Sequence, residues 1–98
     1  MSHPAHGRFI WYDLNTTDRV AAKSFYNQLV GWGTQPIEGG DMPYTMWTVG
    51  SEPIGGVMDL PEPAKQAGAP PHWVAYVAVS DVAEVSRRAV DLGGGVLH

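Results

Sequence analysis

The side chains with chemical potential in this sequence gather on two short runs. Trp11 and Asp13 stand in residues 8–14 (RFIWYDL), and His72 and Tyr76 in residues 72–79 (HWVAYVAV). Successive side chains of an extended strand point to opposite faces, so Trp11 shares a face with Asp13, and His72 with Val74 and Tyr76. A carboxylate, an imidazole and a phenol among apolar side chains suit a concave small-molecule pocket, which is mostly apolar with few polar groups. Trp and Tyr rings would stack on a planar or apolar ligand, and Asp13 and His72 would orient it. His72 is the candidate general base, because an imidazole titrates near neutrality. Plainer roles stand beside these: a hydrogen-bonded His72 that orders the corner after Pro70-Pro71, and an end-of-strand Asp13 near Asn15 and Thr16.

Other chemistries fail sooner. There is no cysteine, which excludes disulfides, thiolate metal sites and thiol nucleophiles and fits a reducing cytoplasm. Ser24, Ser51, Ser80 and Ser86 lack a G-x-S-x-G context. Gly93-Gly94-Gly95 follows an amphipathic stretch, whereas a phosphate loop would precede one. His3 and His6 belong to a polar tail expected to be loose and solvated, and His98 is the final residue.

These residues need elements to position them. Residues 8–14 read as a strand, and Asn15-Thr16-Thr17-Asp18 supplies a helix cap at Thr17 or Asp18. Ala21, Phe25, Leu29 and Trp32 recur at helical spacing, with Ala22 and Tyr26 beside them, before Gly31 and Gly33 end the helix. A short strand is expected within residues 35–42, then strands over 44–49 and 54–60 around the turn Gly50-Ser51-Glu52-Pro53. Gly55-Gly56 marks a bulge or a close backbone approach. In the pairs Met46-Trp47 and Val57-Met58 one member each should face the pocket, and Trp47 and Met58 are assigned to it. Residues 61–71 hold four prolines and read as an extended linker. After the strand from Trp73, Asp81 and Glu84 form a capping box, and Val82, Val85, Ala89 and Leu92 stripe a second helix.

The chain has 98 residues, 44% hydrophobic and 16% charged, with a net charge of −4. Such a chain is one domain or less, and it buries roughly 60–65% of the surface its unfolded form exposes. The apolar content disfavours disorder. Six scattered Lys and Arg against ten Asp and Glu argue against a nucleic-acid partner. No apolar run approaches the ~20 residues that span a bilayer, so no membrane partner is expected.

The strand–helix units repeat. Asp18 and Asp81, Leu29 and Leu92, Gly31 and Gly94, and Leu14 and Val77 are each separated by 63 positions. The expected organisation is α+β: a βαβββ module over residues 8–60, a Pro-rich linker over 61–71, and the βα start of a second module over 72–98. Any two capped amphipathic helices after strands would align in part this way.

Trp11-Tyr12 through Asp18, Phe25-Tyr26 with Leu29-Val30-Gly31-Trp32, Tyr44 to Trp47, Ile54-Gly55-Gly56-Val57-Met58 and Pro70-Pro71-His72-Trp73 followed by Asp81-Val82 together resemble the vicinal oxygen chelate superfamily. This is the glyoxalase, bleomycin-resistance and extradiol dioxygenase group, and the likeness is strongest to its tandem glyoxalase-like branch. The resemblance implies paired βαβββ modules whose sheets curl around a pocket. It also implies a departure, because the second module stops after its helix. Unpaired strand edges and an uncovered apolar face favour self-association, so a homo-oligomer is expected.

Metal-dependent members bind their ion with His and Glu from several strands. The resemblance puts two of those ligand positions at Trp11 and Val74, and neither side chain offers a ligating lone pair. No metal and no other cofactor is therefore expected, although a displaced site built from Asp13, Asp59 and His72 stays open. The expected function is a metal-free glyoxalase-like module that binds a small organic molecule through Trp11, Asp13, Trp47, Met58, His72, Val74 and Tyr76. The alternatives are a metal-dependent lyase or dioxygenase, a drug-sequestering protein, or a structural half-domain.

Overall fold

The computed structural model describes residues 4–37 and 43–96. The fold is α+β. Its elements are β1 (Phe9–Thr16), α1 (Arg19–Val30), β2 (Gly33–Ile37), β3 (Tyr44–Val49), β4 (Glu52–Asp59), α2 (Glu62–Gln66), β5 (His72–Val77) and α3 (Val82–Asp91). Five strands form one mixed sheet in the order β2-β3-β4-β1-β5. β1 and β4 pair in parallel, and β2–β3 and β3–β4 are antiparallel. Through β4 this is the order of a βαβββ module.

The chain divides into two compact units. One runs from Trp11 to Tyr76; the other joins the described residues up to Ile10 with those from Val77 onward.

In the first unit, Asp18 caps α1 by accepting from the Ala21 N–H at 3.0 Å. Gly31 ends the helix in the left-handed region at φ 76°, and its N–H donates to the Asn27 carbonyl. Trp32, read as part of the helical stripe, therefore lies just past the helix, where its ring stacks on Tyr26 at 5.3 Å. The core is Leu14, Trp47 and Val57, with Ala22, Tyr26, Trp32 and Ile54 packed against it. Trp47 and Val57 are 0% exposed.

A bulge sets the side-chain phase of β4. Trp47 pairs with Gly55 and Thr48 with Pro53, so Ile54 is the extra residue. From Gly55 onward the register is regular, with Tyr12 opposite Gly55, Leu14 opposite Val57, and Tyr44 opposite Met58. Leu14, Trp47 and Val57 thus share the face that meets α1, while Asp13, Tyr44, Met46, Gly56 and Met58 share the other.

The segment 61–71 is not extended throughout, because α2 lies within it. Pro61 is the N-cap and Pro63 falls in the first turn, where a helix has no internal use for an N–H, so these prolines are compatible with helix. Lys65 N–H donates to the Pro61 carbonyl at 3.0 Å and Ala67 N–H to Pro63 at 3.1 Å. Glu62 in the first turn and Lys65 in the last suit the helix dipole.

In the second unit, Asp81 caps α3 by accepting from Glu84 N–H at 3.0 Å. From His6 onward the tail is held rather than loose. Gly7 N–H donates to Ala78 O at 2.7 Å, Ala78 N–H to Arg8 O at 2.9 Å, and Ser80 N–H to His6 Nδ1 at 2.9 Å. Backbone pairing gives these residues partners that composition alone does not reveal. His3, His98 and the part of the expected second strand from residue 38 to 42 lie outside the described residues.

Candidate functional site

Within the first unit, the sheet face opposite α1 carries a compact polar cluster centred on Asp13. β1 is flanked by β4 and β5, so its outward side chains sit at the middle of that face. Asp13 is only 7% exposed. Its Oδ1 accepts from the Tyr44 hydroxyl at 2.6 Å and from Trp11 Nε1 at 3.0 Å. The same Trp11 N–H is shared with the Tyr44 oxygen at 2.9 Å. Tyr76, on β5, also interacts with the Asp13 carboxylate. A buried carboxyl group surrounded by donors avoids the cost of desolvating it without partners.

Both phenols become harder to ionise. Burial, then the hydrogen bond to Asp13, push Tyr44 up to about 12, while the Trp11 N–H works in the opposite direction. For Tyr76 the bond to Asp13 is the leading cause of an upward shift, followed by burial. The Tyr44 phenol spends its proton on Asp13.

Gly56 makes the Tyr44 position possible. A methyl group at residue 56 would overlap the Tyr44 ring and hydroxyl. At Gly55 a methyl would strike the backbone oxygen of Tyr12. The paired glycines thus mark two close approaches, one to a side chain and one to a neighbouring strand, beside the bulge at Ile54.

The structure brings Trp11, Asp13 and Tyr76 together. Met58 lies on the same face, opposite Tyr44, and Val74 and His72 share the alternation of Tyr76 along β5. Trp47 does not join them. It is buried on the helix side beside Leu14 and Val57, its Nε1 without a hydrogen-bond partner, and Met46 takes the outward place. The register explains the difference: Tyr44 opposite Met58 commits the even-numbered residues of β3 to that face, so Met58 and Trp47 cannot both point there.

His72 is exposed, and its Nδ1–H donates to the Pro70 carbonyl at 2.8 Å, which leaves Nε2 as the ring's acceptor. Asp59 follows Val57 in phase and accepts from Arg19 Nε of α1 at 2.8 Å. It is turned from Asp13, so the displaced grouping of Asp13, Asp59 and His72 does not form. Trp11 has no lone pair for a metal, and among the described residues no three His, Cys, Asp or Glu side chains gather where an ion could be held. The metal ligand set implied by the resemblance does not fit the residues at Trp11 and Val74.

Tyr44 and Gly56 are the site residues that sequence reasoning passed over. The signal was present in the even spacing of Tyr44 and Met46 and in the glycine pair, but the register that joins them to Asp13 depends on the bulge.

A hollow of about 300 Å³ lies on the helix side of the same unit and is lined by Tyr12, Trp32, Trp47, Ile54, Gly55 and Trp73. It is walled by apolar surface and lacks the converging polar groups of the Asp13 face.

No family model matches the chain. Among curated proteins, it is 43% identical over 89 residues to the protein named "Putative glyoxylase CFP32" from Mycobacterium bovis, covering 89% of this chain and 34% of that protein. It is 34% identical over 88 residues to the anthracycline biosynthesis protein DnrV of Streptomyces peucetius, covering 88% of this chain and 30% of that protein. It is 32% identical, with the same coverage, to the anthracycline biosynthesis protein DauV of Streptomyces sp. strain C5. The chain therefore spans about a third of the length of these relatives. Similarity along most of the chain, joined to the βαβββ order of its strands and helix, supports placing it in the glyoxalase-like superfamily.

Proposed function

We propose that this chain supplies a small-molecule-binding module of the tandem glyoxalase-like branch, with the ligand resting on the sheet face that carries Asp13. The observation that carries the reading is the Asp13 cluster itself. A nearly buried carboxylate holds Trp11 and Tyr44 at 2.6–3.0 Å on a face otherwise contributed by Met46, Met58 and Val74. That is the composition of a binding surface: apolar area for affinity and a few fixed polar groups for orientation. The glyoxylase and anthracycline-biosynthesis names of the relatives support a role with small organic molecules.

In this reading the module works without a metal at the positions of Trp11 and Val74, and His72 Nε2 is the one imidazole acceptor on the β5 side of the face. A cytoplasmic setting belongs to the same reading, supported by the absence of cysteine. Among the described residues no helix is long and apolar enough to cross a membrane. Self-association is part of the proposal too, supported by the exposure of Phe25 and Leu29 on α1, and sedimentation of a clean monomer would remove it.

The test is a thermal-shift screen of small organic compounds with parallel metal analysis of the purified chain. A ligand that binds only the folded state must raise its melting temperature. At least one compound class should stabilise the wild type and lose its effect in Asp13→Asn. A stoichiometric divalent ion on the purified protein would instead favour the metal-dependent lyase or dioxygenase reading.

A further inference from the structure

The hydrogen-bond directions around Asp13 restrict what the face can accept. Two donors hold the carboxylate, Trp11 Nε1–H and Tyr44 O–H, and the Tyr76 phenol also interacts with it. The Trp11 proton is shared between Asp13 and the Tyr44 oxygen, and the single Tyr44 proton is directed at Asp13. An incoming molecule therefore finds the Trp11 and Tyr44 protons already engaged and meets the phenol oxygen of Tyr76, which is 44% exposed. Asn15, the next polar residue of β1 on this face, is buried and presents little surface.

Charge points the same way. No Lys or Arg occurs in β1, β2, β3, β4 or β5. The cations of the Trp11–Tyr76 unit are Arg19, Lys23 and Lys65, all on helices, and Arg19 is paired with Asp59 on the opposite side of the sheet. Among the described residues the face thus carries the Asp13 carboxylate and no Lys or Arg to offset it. A bound anion would have to lose its hydration beside the Asp13 carboxylate with no Lys or Arg in return, which is costly. A neutral hydroxyl or amine gives up far less hydration and finds acceptors waiting.

We infer that the Asp13 face selects apolar molecules bearing an O–H or N–H donor and rejects carboxylates. The inference rests on the reading of this face as a small-molecule site and adds the ligand class. Gly56 is a positioning residue in this scheme: it leaves room for the Tyr44 ring, whose proton is thereby kept on Asp13 rather than offered to a ligand.

The test uses a matched pair of probes, 2-naphthol and 2-naphthoate, in NMR titrations of the whole chain at about pH 7. Naphthol should bind at least about tenfold more tightly than naphthoate, the discrimination expected when one partner leaves a charge uncompensated. Asp13→Asn removes the negative charge and adds N–H donors, so the preference should fall to within about threefold. Tyr76→Phe, at an exposed position, provides a second variant with little risk to the fold and should weaken naphthol by about fivefold through loss of its acceptor. Naphthoate binding as tightly as naphthol would overturn the selectivity and leave the binding face standing. Failure of both probes to bind would overturn the binding face itself. A naphthol preference unchanged in both variants would assign binding to another surface and overturn the inference.

Discussion

The two faces of one sheet solve opposite problems with nearly the same residue types. Toward α1, Leu14, Trp47 and Val57 are sealed in a core, and Tyr26, Trp32, Trp47 and Trp73 touch ring to ring at centroid distances of 5.3–6.3 Å. On the other side, Trp11 and Tyr44 are tied by their polar ends to Asp13, and Tyr76 interacts with the same carboxylate. Aromatic side chains carry both a large apolar body and, in Trp and Tyr, a polar handle. The helix face uses the bodies, even leaving the Trp47 N–H buried without a partner. The Asp13 face uses the handles. Aromatic content alone therefore does not mark a binding site; the direction of the N–H and O–H groups does.

The comparison breaks most readily at Trp47. Trp47→Ala should cost about 3–5 kcal/mol, as large-to-small changes of fully buried aromatics do, read by denaturant unfolding. A loss below about 1 kcal/mol would mean that the helix face is not the core. Next comes Gly56→Ala, which should cost about 1–3 kcal/mol by crowding the Tyr44 ring. In a Tyr44→Ala background most of that cost should vanish, so a double-mutant cycle distinguishes a clash with this ring from a general strand defect.

The smallest effect is the one that bears most directly on the polar face. Asp13→Asn should lower the ionisation of Tyr44 from about 12, but not fully to its ordinary value, because burial remains as the leading cause. Ultraviolet absorbance against pH follows the phenolate. The sign for stability follows from linkage. The folded state holds the Tyr44 proton more tightly than the unfolded chain, so the contribution is complete below about pH 10 and is lost as pH rises toward 12. The variant should show a shallower decline across that window, and an unchanged decline would detach Tyr44 from Asp13.

Much of this arrangement was legible in the residues. Caps at Asp18 and Asp81, the Gly31 stop and the alternation that puts Trp11 with Asp13 follow from local chemistry, which needs no knowledge of the tertiary fold. The misassignment of Trp47 came from a register fixed across strands. With Ile54 bulged out, the phase of β4 cannot be counted from its turn, so Met58 was placed and its partner on β3 was not. Helix α2 was hidden for a different reason: Pro61 and Pro63 read as helix breakers unless they are known to fall at a helix start. Tyr44 entered the site through Gly56, a residue whose meaning is the absence of a side chain.

The division of the four indoles between the faces gives the molecule two optical reporters. Trp32, Trp47 and Trp73 are grouped, so their emission should follow the loss of packing during unfolding. Trp11 stands apart, with its N–H held by a carboxylate and a phenol, so its spectrum should respond to events on the Asp13 face while the chain stays folded. Trp11→Phe would leave a chain that signals denaturation alone, and occupancy of the face could then be followed by the difference between the two proteins.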